Sequence, residues 1–254
     1  MSVHGIAGGH PFALSWRSAI SASARDRVHN SLIDAKALGS MYVRMRPQLR
    51  HGRITSATKL VLDGYPRSAN AYAEWAFRYA NGDAVPMAVR MHSPRAVRES
   101  VRRGIPTIVL IRPPRDAVAS WLQYKPGVDA ADAFRRYAMY YDRIRPLRDS
   151  VVIAPFDEVV ADFGAVVMRC NRKFGTSFEP YPGGPVAEAW VRAQIESAWS
   201  YDETGLLPEH QVPRPSLDRD AAAAVLEIVQ HDPEVRRGVE RAQVSWQRFI
   251  VGTS

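Results

Sequence analysis

From Lys59 onward the chain alternates short apolar runs with helical stretches, and this alternation restricts the possible folds more than any other feature. KLVLDGY, MAVRMHS, TIVLIR and VVIAPF read as strands; TIVLIR is apolar except at its final arginine. Between them, ANAYAEWAFRYANG closes at Asn81-Gly82, and PRAVRESVRRG has Pro94 in its first turn and Gly104 past its end, the punctuation of helices. A helix from about Arg115 to Tyr124 and a longer one, DAADAFRRYAMYYDRIRPLRD, lie before VVIAPF, and a further helix runs through Phe174. Strands separated by helices form a mainly parallel sheet covered on both faces, an α/β fold with its ligand site at the carboxyl ends of the strands.

After Gly175 the pattern loosens into helical segments at 185–198, DAAAAVLEIVQ and VRRGVERAQVSWQRF, with the long polar loop YDETGLLPEHQVPRPS among them. Residues 1–58 read as an N-terminal helical extension packed on the core, with Ile20, Val28, Leu32 and Ile33 on one helical face; 59–254 form the α/β domain. The other reading of that extension is a peripheral contact with anionic membrane.

Three strand ends carry candidate chemistry. In GYPRSANAY a strand, a tight turn and a helix start follow one another, and the unsatisfied N–H groups of a helix start attract anions. Arg67 adds a permanent cation and Ser68 a hydroxyl. The nucleotide-triphosphate pattern G-x-x-x-x-G-K-S/T is absent, so no hydroxyl follows a lysine to hold Mg²⁺. Arg112 closes a buried strand, a place that calls for an anion or a carboxylate. His92 lies at the end of the strand between these two and has a pKa range suited to proton abstraction.

These segments resemble the PAPS-dependent sulfotransferases. Y-P-R-S-A-N-A-Y is similar to that family's 5′-phosphosulfate loop, Y-P-K/R-S-G-T/N-T-W, with Ala69 for a glycine and Ala71 for a hydroxyl residue. R-P-P-R-D-A-V-A-S, from Arg112 to Ser120, resembles the 3′-phosphate motif R-N/D-P-R/K-D-x-x-x-S, and R-M-H-S-P resembles K-T-H-x-P, with Arg90 for the lysine. The resemblance implies a three-layer P-loop-like fold, PAPS as donor, PAP as product and no metal. It implies that Arg67 stands near the leaving oxygen and that Ser68, Asn70 and the amides of Ala69 and Ala71 grip the 5′-phosphate. Tyr72 would stack on adenine, Arg112 and Ser120 would hold the 3′-phosphate, and His92 would be the general base. FDEVV at 156–160 resembles the family's Y-E-D-L segment, with Asp157 near a cap. The family's late G-x-x-G-D-W-K loop is missing, and Arg214 in EHQVPRPS is a possible late phosphate contact.

The net charge of +8, with only four lysines among 34 basic residues, suits a polyanionic partner. The spread of those residues along the chain argues against nucleic acid. Cys170, the single cysteine, excludes an internal disulfide and reads as a buried thiol. With no apolar run long enough to span a bilayer and no signal-peptide core, a cytoplasmic location is expected. The acceptor is open among small phenols or alcohols, carbohydrate and glycolipid. Trp190, Trp199 and Tyr201 are candidates to line its pocket, with core packing as their other reading. The competing functions are a metal-dependent phosphotransferase and a nucleotide- or lipid-binding protein without catalysis.

Overall fold

The computed structural model describes residues 52–125, 127–199 and 231–252, with isolated positions at 21, 24, 27, 28, 31, 32, 201, 202, 205, 206 and 227. Arg214, most of its loop, most of the helix expected over DAAAAVLEIVQ and most of residues 1–51 lie outside the described residues, as do the side chains of Trp199 and Tyr201. In the N-terminal segment, Arg27 forms an ion pair with Asp132, and Val28 is exposed.

Four strands form the central sheet: β1 (Leu60–Gly64), β2 (Met87–Val89), β3 (Thr107–Ile111) and β4 (Val152–Pro155). All pairings are parallel, in the order β2-β1-β3-β4. Every residue of β1 and β3 is buried, as nearly continuous apolar runs in a doubly covered sheet must be. The helices are α1 (Asn70–Asn81), α2 (Pro94–Arg102), α3 (Pro114–Tyr124), α4 (Ala130–Ile144), α5 (Phe156–Ala161), α6 (Phe163–Phe174), α7 (Gly184–Trp199) and α8 (Pro233–Val251). Two-residue strands β5 (Tyr201–Asp202) and β6 (Gly205–Leu206) pair antiparallel after α7.

Alternation along the strands sorts the core into two clusters. Leu60, Leu62, Ile108 and Leu110 pack with Phe77 of α1, Val166 and Val167 of α6, and Val191 and Ile195 of α7. Val109 and Ile111 face the other way, onto Val118 of α3, Phe134 and Tyr137 of α4, and Val239 and Phe249 of α8. The result is a three-layer α/β fold, helices over an all-parallel sheet over helices. At about 1.5–3 kcal/mol for each large apolar side chain removed from water, these two clusters are the main stabilising term.

The strand order determines where a ligand can enter. β1 and β3 are neighbours, yet the helices that follow them cover opposite faces, α1 on one and α3 and α4 on the other. Between two such strands a crevice opens at their carboxyl ends.

Element boundaries depart from the sequence expectation in two places. β2 ends at Val89, so His92 lies in a turn beyond the strand. Arg90 and His92 take φ values of 57° and 50°, which a β-ladder does not accommodate. The helix after β4 is broken at Asp162, whose non-helical backbone (φ −154°, ψ 79°) ends α5 and whose carboxylate caps α6 through the Ala165 N–H. Cys170 is buried, as expected, and burial pushes its thiol up to about 11.

Candidate active site

The crevice is a cleft partly open to solvent, with an interior of about 110 Å³. It is lined by residues 66, 67 and 69–72 of the β1–α1 turn, Arg90 and His92 after β2, and Arg112 after β3. Ser120, Trp121 and Tyr124 of α3 and Phe156 after β4 complete the wall. The three strand ends singled out in the sequence therefore open into one space, joined by a fourth.

Arg67 and Arg112 are brought together by the backbone. Arg112 Nη1 donates to the Arg67 carbonyl at 3.2 Å, joining the end of β3 to the turn after β1. Arg67 Nε donates to Ser120 Oγ at 2.9 Å, so Ser120 keeps its own hydroxyl proton for another acceptor. The Arg112 guanidinium lies 4.1 Å above the Phe156 ring and that of Arg67 5.4 Å from the Tyr124 ring centroid, aromatic faces that orient both cations. Burial lowers the Arg67 pKa to about 10, with the nearby Arg112 acting in the same direction. It stays charged at neutral pH, and two such cations in one partly dry cleft call for an anion.

Among the described residues, the non-glycine residues with positive φ are Arg67, Ala69, Arg90 and His92, and all four line this cleft. A left-handed conformation costs about 1–2 kcal/mol for a residue with a Cβ. Strain of this kind gathers where function demands a particular backbone geometry. Ala69 stands at φ 66° and ψ 20°, so this turn keeps a glycine-like conformation and tolerates the methyl group.

The other loop residues divide into those facing the cleft and those behind it. Ser68 is fully buried, is not part of the cleft wall, and places its hydroxyl beside Tyr141. Asn70 lines the cleft, but its Nδ2 donates to the Tyr65 carbonyl at 3.0 Å and braces the turn. Tyr72 reaches the cleft with a ring that is 3% exposed and edge-on to Tyr181, while its hydroxyl donates to Glu188 at 2.5 Å. From α3 the cleft is also bordered by the aromatic pair Trp121 and Tyr124, 5.5 Å apart. Trp190 packs against Trp75 and Tyr79 in the core.

His92 is held by two contacts to the end of β1. Its Nδ1 lies 2.7 Å from the Gly64 carbonyl, which can only accept, so Nδ1 carries the proton. In the neutral imidazole Nε2 then carries the lone pair, the form a general base requires. The Asp63 carboxyl accepts the His92 N–H at 2.8 Å and the Ser93 N–H at 3.2 Å. Arg90 is ion-paired at 2.7 Å with the buried Glu74, which also takes Arg78 at 3.3 Å.

A second layer comes from α4. Tyr137 donates to the Arg112 carbonyl at 2.6 Å, and Tyr141 donates to the Leu110 carbonyl at 2.9 Å and accepts the Tyr65 N–H at 3.3 Å. Tyr140 faces the Asp63 carboxyl. Asp63, Trp121, Tyr124, Phe156 and these tyrosines were not singled out in the sequence. The available signals were Tyr124 four residues after Ser120 on one helical face, Phe156 just past a strand, and tyrosines spaced three and four apart.

Among the described residues no cluster of His, Cys, Asp and Glu could hold a metal ion, and no helix is long and apolar enough to cross a membrane. No family model matches the chain and no curated protein matches it. A solved structure of mouse sulfotransferase SULT7A1 complexed with PAP is similar to it at 14% identity and a TM-score of 0.45, over 76% of this chain and 86% of that one.

Proposed function

We propose that the chain is a PAPS-dependent sulfotransferase that moves a sulfuryl group to a hydroxyl or amine of a small-molecule, carbohydrate or glycolipid acceptor and releases PAP. The observation that carries the reading is the single cleft in which Arg67, Arg112 with Ser120, and His92 meet at the ends of neighbouring strands. The order and spacing of the motifs that supply them are those of the family they resemble.

In this reading Arg112 and the free Ser120 proton hold the 3′-phosphate by charge-assisted hydrogen bonds. Arg67 stands at the bridging oxygen of the phosphosulfate and stabilises the charge that gathers there as the S–O bond breaks. His92 Nε2 takes the acceptor's proton as the new S–O bond forms, so the products are the sulfated acceptor, PAP and a proton held first on the imidazole. The charge to be stabilised is met by guanidinium groups, and transfer proceeds without a metal. Anionic membrane contact through the N-terminal segment would bring such an enzyme to a lipid-linked acceptor.

The test is PAP release from PAPS across an acceptor library, with and without EDTA. Release that persists in EDTA, and that falls roughly 10²- to 10⁴-fold in His92→Ala while PAP affinity holds, supports the reading. PAP binding without release under any acceptor favours the binding-protein alternative, and phosphoryl transfer from a nucleoside triphosphate that stops in EDTA favours a phosphotransferase.

A further inference from the structure

Asp63 is a carboxylic acid where charge is costly. It is 1% exposed, near the end of β1, opposite Val109 on the face that packs against α4. Burial without compensation would be prohibitive, and both of its oxygens are engaged, Oδ1 by the His92 N–H and Oδ2 by the Ser93 N–H. His92 Nδ1 lies 3.8 Å from Oδ1, beyond hydrogen-bond range and within strong electrostatic range. The side chain lines no part of the cleft.

The segment it grips does not hold itself. Arg90 and His92 are both left-handed with one residue between them, at about 1–2 kcal/mol each. Such a turn persists only where its surroundings over-determine it. Asp63 accepts both backbone N–H groups at 92–93 and the Gly64 carbonyl meets the ring, while the Ser93 carbonyl and hydroxyl accept the Ala96 and Arg95 N–H groups at the start of α2. The first three contacts converge on two adjacent residues of β1, so the ring and its backbone are referred to one rigid strand.

We propose that Asp63 is the positioning residue for the transfer reaction, pinning the turn at 90–93 so that His92 keeps Nδ1–H on the Gly64 carbonyl and turns Nε2 to the acceptor. This rests on the reading of His92 as the base. Asp63 acts through His92 and touches neither donor nor acceptor.

The experiment uses the full-length chain with Asp63→Ala and Asp63→Asn. The asparagine variant keeps the volume and one acceptor, and it serves where the alanine variant does not fold. The expected result is PAP affinity by calorimetry within about threefold of wild type, and kcat lower by roughly ten- to a hundredfold, less so in Asp63→Asn. The ¹⁵N signals of the His92 imidazole are expected to pass from a single Nδ1–H tautomer to a mixture. That spectrum needs no turnover, so a tautomer change in a protein that transfers nothing supports the anchoring and overturns the base reading alone. Unchanged kcat and unchanged His92 signals in a folded variant overturn the proposal. So does a loss of PAP affinity that matches the loss of kcat, which would put the effect of Asp63 in the donor cradle.

Discussion

Ala69, at φ 66°, carries a methyl group in a conformation that glycine adopts without strain, and its neighbours supply no side-chain cap for the helix that starts there. Ala69→Gly removes left-handed strain of about 1–2 kcal/mol and adds freedom to the unfolded chain, for an expected net gain of about 1 kcal/mol in urea denaturation at unchanged m. A loss of stability would mean that the methyl group packs more favourably than its backbone conformation costs. Arg67, Arg112 and His92 could be picked out in the sequence because a cation or imidazole soon after an apolar strand has few structural uses, and Ser120 by its place eight residues after Arg112. For Ser68 and Tyr72 the sequence names the residue and leaves its orientation open. A side chain at a helix start can face the ligand or the core, and here the Ser68 hydroxyl is buried near Tyr141 while Glu188 holds the Tyr72 hydroxyl. Asp63 escaped notice because its role depends on a turn 29 residues away.

The elements meet at Gly64. A Cβ built on this residue would lie 2.3 Å from the Leu110 carbonyl oxygen, because β1 and β3 approach closely just where the turn into α1 begins. Gly64→Ala is expected to destabilise the fold by about 1–3 kcal/mol, a fall of several degrees in thermal midpoint, since the opposing atom is backbone and cannot rotate away. An unchanged midpoint would show that the strands can part there at little cost. Helix α4 braces the same region from behind, with Tyr137 and Tyr141 on the carbonyls of Arg112 and Leu110. The strand and helix pattern was readable from apolar periodicity, including the ends marked by Pro94 and Gly82. The shortness of β2 was not, because MAVRMHS continues to look like a strand through residues whose backbone has already turned left-handed.

At the scale of the whole molecule, the parallel three-layer plan follows from the alternation of elements, whereas the order β2-β1-β3-β4 depends on non-local pairing that no local pattern encodes. That order makes the crevice, and with it a buried Asp63 whose carboxyl is pushed up to about 7 by burial, against the pull of its backbone N–H partners. Between roughly pH 4 and 7 the folded chain keeps a proton there that the unfolded chain has released, so this group's stabilising contribution is full in acid and is lost as pH rises through 7. The difference in unfolding free energy between wild type and Asp63→Asn should therefore shrink or reverse across that window, and a flat difference would count against the buried proton. The central claim is that Arg67 and Arg112 face one doubly phosphorylated ligand. Its most direct test is calorimetry of PAP with wild type and Arg112→Ala. The account predicts binding by the wild type and a loss of roughly 10- to 100-fold in the variant, the worth of one charge-assisted contact. A wild type that does not bind PAP, or a variant that binds it equally well, would contradict it.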